Sequence, residues 1–206
     1  MPASSASLAK RARMRRPAGT PSPWGMFLRG FIKHPVMVGS IIPSSRLLID
    51  KMLAPVDWEN TKLFVEYGPG VGTFCAPILD RLAPDAHYIA IDTNADFVHY
   101  LRRTIDDRRF DCVHGSAEDV GRIIADRGHA AADYVLSGLP FSTLPRGVGA
   151  AIAANTAAAI RPGGAFLVYQ FRPKAREFVA PHFGRIDHGF EFWNVPPAQL
   201  YWAYKD

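Results

Sequence analysis

From residue 62 onward, short apolar runs alternate with stretches whose apolar residues recur at helical spacing. The pattern predicts strands at 62–67, 87–92, 111–114, 133–137 and 165–171, with helices at 73–82, 95–104, 120–124 and 147–160 between them. A turn, Arg161-Pro162-Gly163-Gly164, introduces the fifth strand. Strands alternating with helices imply a parallel sheet with helices on both faces, and such sheets bind ligands at the carboxyl ends of their strands. The rhythm then breaks. Residues 190–195 and 200–204 are aromatic-rich runs around Pro196-Pro197, which predicts a closing antiparallel pair.

Upstream, Pro43-Ser44-Ser45 is a helix-start signal ahead of a helix at 46–53. Before that, Trp24, Phe27, Leu28, Phe31 and Ile32 fall on one face of a short helix while Arg29 and Lys33 point elsewhere. Pro35 ends it. Residues 1–23 hold four prolines and a basic cluster with little to bury, which predicts a loosely held tail. The division is therefore a tail over 1–23, an amphipathic helix over 24–34 and one domain over 35–206.

Charge sharpens this division. Of the 24 lysines and arginines, seven lie before Pro35, leaving 17 against 19 acidic residues in the remainder. The basic character belongs to the amino-terminal arm, and a polyanion or anionic membrane should meet that arm. The Ala-rich run at 147–160 is too short to span a bilayer. Cys75 and Cys112 have neither Cys-x-x-Cys nor Cys/His ligand spacing, so no metal site is expected and a reducing cytoplasm is the default.

The most specific feature is Glu66-Tyr67-Gly68-Pro69-Gly70-Val71-Gly72, placed between a strand and a helix. Glycines let the backbone approach a ligand that a Cβ would exclude. Asp92, with Thr93 after it, ends the second strand and is placed to accept hydrogen bonds from ribose hydroxyls, as suits an adenosine-containing cofactor. A dinucleotide fold expects Gly-x-Gly-x-x-Gly, whereas the spacing here is Gly-x-Gly-x-Gly with an acidic residue two positions earlier. A carboxylate there repels a pyrophosphate but suits the cationic amino-acid end of S-adenosylmethionine, directly or through water. The loop, Asp92 and the seven-strand order resemble the class I S-adenosylmethionine-dependent methyltransferases. That likeness implies a Rossmann-like α/β sheet of seven strands, parallel with one antiparallel strand. It also implies adenine contacts from Ala117 and Glu118, although Ser116 and Asp119 equally suit a helix cap.

The fourth strand runs into Ser137-Gly138-Leu139-Pro140-Phe141. The proline forces extended backbone before it, leaving carbonyls to face a ligand. Such carbonyls can accept hydrogen bonds from an amine while an aromatic face steadies positive charge. Amino-methylating enzymes carry Asn/Asp-Pro-Pro-Tyr or Asn-Leu-Pro-Tyr here, and this segment is similar with Ser-Gly in place of Asn. Together with residues 31–35, 38–46 and 194–198, these motifs resemble the bacterial phospholipid N-methyltransferases acting on phosphatidylethanolamine, over roughly residues 24–206. The resemblance implies a peripheral enzyme of the cytoplasmic membrane's inner face that methylates this lipid's amine to mono-, di- or trimethylated products. Ser137, Leu139 and Phe141 would serve the acceptor; Ser44, Ser45, Glu66, Gly68, Gly70, Gly72, Asp92, Thr93, Ala117, Glu118 and Ser137 the cofactor. Trp24, Phe27, Arg29, Phe31, Lys33, His34 and Arg46 would meet lipid, with neither a stable protein partner nor nucleic acid expected. Similarity to ribosomal RNA adenine dimethylases keeps that activity as the alternative, beside a non-catalytic membrane- or RNA-binding module on the same fold. An ethanolamine ammonium, with a pKa of about 10, must lose a proton before it can react. Tyr67, His34 and Tyr201 are candidate acceptors of it, and Arg46, Lys33 or Arg172 candidate partners for the lipid phosphate.

Overall fold

The computed structural model describes residues 46–171, 175–192 and 197–206. The expected amphipathic helix, its basic residues, His34, Ser44, Ser45, Arg172 and residues 194–196 lie outside them.

Helix α1 (Arg46–Leu53) leads into β1 (Leu63–Tyr67), α2 (Cys75–Leu79), β2 (His87–Asp92), α3 (Ala95–Thr104) and β3 (Phe110–His114). A 3-10 turn (Ala117–Asp119) precedes α4 (Val120–Ala125), β4 (Ala132–Ser137), α5 (Val148–Ala159) and β5 (Ile160–Gln170). Then come α6 (Ala175–Val179), a second 3-10 turn (Ala180–His182), β6 (Arg185–Glu191) and β7 (Ala198–Tyr204). The seven strands form one sheet in the order β3-β2-β1-β4-β5-β7-β6, with β7 antiparallel to both of its neighbours. This is the Rossmann-like methyltransferase sheet, with its chain reversal confined to one side.

The centre is buried on both faces, as parallel sheets covered by helices are. All five residues of β1 and all six of β4 are buried. One face packs Phe64, Tyr88, Leu136 and Leu167 beneath α1, α2 and α3; the other packs Val65, Ile89, Val135 and Phe166 beneath α4, α5 and α6. At the amino edge, Asp133 Oδ2 accepts from the backbone N–H of both Lys62 and Leu63 at 2.8 Å. Arg161 Nε donates to Asp133 Oδ1 at 2.5 Å, so one carboxylate ties β1, β4 and β5 together.

Three boundaries differ from expectation. Regular helix in the first crossover is confined to Cys75–Leu79, with turns around it. The Arg161–Gly164 segment extends β5 instead of turning, because Gly163 N donates to Lys205 O and Lys205 N to Gly164 O. The sixth strand lies at Arg185–Glu191, not 190–195, since β7 pairs with it from Tyr204↔Arg185 to Ala198↔Glu191.

Helix α1 buries Leu48, Ile49, Met52 and Leu53. Lys51 Nζ donates to Phe190 O at 2.5 Å, while Trp202 Nε1 donates to Met52 O at 3.0 Å. Phe190 pairs near the carboxyl end of the sheet, and beyond α1 the chain reaches Tyr134 of β4, whose hydroxyl accepts from Asp57 N at 3.2 Å, so the chain after α1 leads toward the amino edge.

Candidate cofactor and acceptor site

At the carboxyl ends of β1, β2 and β4 lies a cavity of about 340 Å³. Tyr67, Gly68, Asp92, Thr93, Ala117, Glu118 and Leu139 line it, which brings together residues from all three motifs. Its walls also take Ile91, Phe97, Val148 and Ile152, none of them singled out in the sequence. Val148 and Ile152 stand one helical turn apart on α5, a spacing legible only as an apolar face.

The strand ends arrange the loop. Gly68 and Gly70 have φ of 65° and 55°, the left-handed region that glycine enters freely. A Cβ at Gly68 would lie 3.1 Å from Leu139 Cδ2, so the cofactor loop and the segment after β4 close on each other here. Asp92 holds the loop from the neighbouring strand: its Oδ2 accepts from Gly70 N at 3.2 Å and its Oδ1 from Asn94 N at 2.8 Å. Burial pushes the Asp92 carboxyl up to about 6 against the pull of those donors. Ser116 Oγ accepts from Glu118 N at 3.2 Å, so the cap is real, and its first turn still lines the cavity.

Other expected residues stand elsewhere. Side chains alternate along β1, so Tyr67 meets the cavity while Glu66 turns to the opposite face and does not line it. The Glu66 carboxyl group is buried and accepts a hydrogen bond from the Tyr88 hydroxyl, whose oxygen also lies 3.3 Å from Cys75 Sγ. Burial pushes Glu66 up to about 8, the Tyr88 bond lowering it only in part. Gly70 and Gly72 shape the loop without lining the cavity. Ser137 is fully buried, its Oγ accepting from Leu139 N at 3.2 Å. Phe141 does not present an aromatic face to the cavity: its ring sits in the core between Phe166 and Phe178, at 6.4 and 5.9 Å. Of the three residues assigned to the acceptor, Leu139 alone lines the cavity.

Tyr67's hydroxyl lies 3.0 Å from Thr156 Oγ1, and burial raises its pKa, which opposes its use as a proton acceptor at neutral pH. Tyr201 is buried and stacks on His188 at 4.9 Å, its pKa also raised by burial. Arg46 is exposed at the start of α1.

Gly138 has a steric reason to be glycine. A Cβ there would lie 2.7 Å from Tyr169 Cζ and closer still to its hydroxyl. The ring of Tyr169, tilted by 33° against Phe74 with centroids 5.0 Å apart, fills the space a side chain at 138 would enter.

The donors and walls fit the adenosine half of the cofactor expected from the motifs. A carboxylate stands at the end of β2, backbone-rich turns follow β1 and β3, and apolar side chains are spaced to hold a flat base.

No model of a protein family matches the sequence. The chain is 32% identical over 180 residues, 86% of its length and 94% of the relative's, to the ornithine lipid N-methyltransferase of Singulisphaera acidiphila. Among solved structures it resembles the precorrin-6y C5,15-methyltransferase of Geobacter metallireducens, with a TM-score of 0.62 and 13% identity over 78% of this chain and 90% of that one. It also resembles the 1,6-didemethyltoxoflavin-N1-methyltransferase of Burkholderia thailandensis, at a TM-score of 0.59 and 16% identity over 94% of each chain. A 16S rRNA N2 G1207 methyltransferase of T. thermophilus, in complex with AdoMet and guanosine, has a TM-score of 0.58 at 20% identity, over 82% of this chain and 44% of that one. At these identities the structural likenesses establish the fold alone.

Proposed function

Because the chain belongs to the lipid N-methyltransferase family of the Singulisphaera ornithine lipid enzyme, we propose that it methylates the primary amine of a membrane aminolipid, using S-adenosylmethionine. The observation that carries this reading is the 32% identity across 86% of the chain. Phosphatidylethanolamine is the acceptor implied by the combined resemblance of residues 31–35, 38–46, 66–72, 137–141 and 194–198, and ornithine lipid is the acceptor named for the relative. Both offer an amine at the water–lipid boundary.

Bound in the cavity, S-adenosylmethionine supplies an electrophilic methyl carbon on a positive sulfur. Asp92 serves the ribose, Ala117 and Glu118 the base, and the Gly68–Gly70 loop admits the sulfur-bearing chain. Leu139 excludes water between the loop and the acceptor, which keeps the amine lone pair from being solvated away from reaction. The Leu139 carbonyl before Pro140 accepts from Phe141 N at 2.9 Å and keeps a second lone pair to accept from an amine N–H, orienting the nitrogen.

The surface supports approach to a bilayer. Among the described residues, Leu47 and Phe192 are the exposed large hydrophobic side chains, at 58% and 74%; Phe192 follows β6 at the carboxyl edge and Leu47 stands in the first turn of α1. Arg46, exposed, stands beside Leu47 at the start of α1, a pairing suited to an anionic lipid surface. The seven basic residues before Pro35, outside the described residues, would add further attraction to such a surface. No helix among the described residues is long and apolar enough to cross a membrane.

The test is radiolabelled methyl transfer by the full chain to vesicles of phosphatidylethanolamine, to vesicles of ornithine lipid and to ribosomal RNA, side by side. Label in either lipid supports the reading and identifies the acceptor. Label in RNA alone overturns it.

A further inference from the structure

The carboxyl end of β5 carries a polar group that the fold does not use. Gln170 is 3% exposed, and among the described residues neither Nε2 nor Oε1 of its amide has a hydrogen-bond partner. Buried amides are almost always paired, because an unpaired one loses its water without replacement. Its cross-strand neighbour does not serve it. Gln199 pairs with Gln170 in the β5–β7 register, but Gln199 Oε1 lies 2.7 Å from His188 Nε2 and is engaged there. The amide therefore contributes no hydrogen bond to the described fold.

Its position explains what the amide is for. Strands β4 and β5 run parallel with Ser137 beside Val168, so continuing that register sets Gly138 beside Tyr169 and Leu139 beside Gln170. Leu139 lines the cavity and closes on Gly68 of the cofactor loop. Gln170 does not itself line the cavity, but by strand order it stands beyond Leu139 from the loop, one residue behind the cavity wall. Tyr169, one residue earlier, turns its hydroxyl under Gly138 on the other face. Two consecutive polar side chains of β5 therefore bracket the segment after β4.

We infer that the Gln170 amide is a binding contact for the acceptor's polar head, Oε1 accepting from an N–H of the reacting nitrogen and Nε2 donating to a headgroup oxygen. The inference rests on the aminolipid reading and extends it to a residue outside the motifs. An amide suits both needs, since it accepts and donates in one plane without bringing charge near a positive cofactor. It also holds the amine without competing for its proton.

The experiment compares the full wild-type chain with Gln170→Met and Gln170→Leu, which keep bulk and remove both hydrogen-bonding atoms. Melting temperature should stay or rise, and the affinity for S-adenosylhomocysteine, read by calorimetry, should not change. The kcat/KM for vesicle-borne aminolipid should fall about tenfold, chiefly through KM, with Gln170→Asn intermediate because its amide is one carbon shorter. A fall of less than threefold in folded variants overturns the inference alone. So does an equal loss of S-adenosylhomocysteine binding, or failure of both variants to fold, since either gives the amide another role. If the wild-type chain labels neither phosphatidylethanolamine nor ornithine lipid, the aminolipid reading falls and takes the inference with it.

Discussion

The two halves of the sheet's carboxyl edge are finished differently. On the β1–β2–β3 side the buried carboxyl groups are engaged: Asp92 in the cavity wall by two backbone N–H groups, and Glu66 on the opposite face by the Tyr88 hydroxyl. On the β5–β7–β6 side a buried glutamine amide is unpaired and Phe192 stands 74% exposed. A cofactor pocket that must hold one small polar molecule gains from rigid, satisfied walls. A site for an amphiphile delivered from a membrane has to leave both polar and apolar demands open, because the substrate and its bilayer fulfil them. The contrast separates a preformed half from a half completed on arrival.

The strongest way to break that contrast is to unsettle the preformed half. Glu66 holds its proton in the folded chain up to about pH 8, whereas an ordinary glutamate releases it near 4.5. The native state therefore binds more protons than the unfolded one across this window. Its stability is complete below about pH 4.5 and declines as pH rises through 8. Urea unfolding at pH 5 and pH 8 should show wild type losing on the order of 3 kcal/mol more than Glu66→Gln. Equal pH slopes would show that Glu66 is already ionised in the fold. Next, Asp92→Ala removes the acceptor for Gly70 N and the ribose contact together; S-adenosylhomocysteine affinity should fall about 100-fold, at roughly 1.4 kcal/mol for each of two lost interactions. A change under fivefold would mean that the loop holds its shape without Asp92.

Two smaller effects probe the other half. Gly138→Ala should cost about 2 kcal/mol of stability where Tyr169 is present, and under about 0.5 kcal/mol in a Tyr169→Leu background, as denaturant midpoints will show. Additive costs would mean that the two residues are not in conflict. Leu47→Asp with Phe192→Asp should lower the vesicle-bound fraction about threefold in flotation while leaving S-adenosylhomocysteine affinity intact, since burial of two side chains competes with the larger contribution of the arm. Unchanged flotation would take these residues off the membrane side.

The same division governs what the sequence discloses. Around β1 and β2 local chemistry and fold agree: glycines at 68 and 70 mark the left-handed loop, and Asp92 ends its strand beside it. Around β6 they part. Arg185-Ile186-Asp187-His188 shows no apolar alternation, because it forms an edge strand with much of its surface in water. Its place comes from pairing with β7 and from Arg185 lying 3.8 Å over the Tyr204 ring. Phe141 misleads for a related reason. Its motif position points to the acceptor, but its ring joins Phe166 and Phe178, contacts 25 and 37 residues away in the chain. Gln170 carries no signal at all in sequence, since an unpaired amide is defined by its neighbours.

The fit of Tyr169 against Gly138 also constrains how such a site can change over generations. A side chain gained at 138 while the tyrosine ring remains strikes that ring, whereas trimming the ring first leaves a hole against Phe74. Each single step is a descent in fitness, and the two-step combination is a separate, well-packed solution. Descendants of this protein are thus expected to keep glycine and tyrosine as a linked pair or to exchange both. An ancestor with a side chain at 138 would have reached the present arrangement most readily through a period of surplus stability.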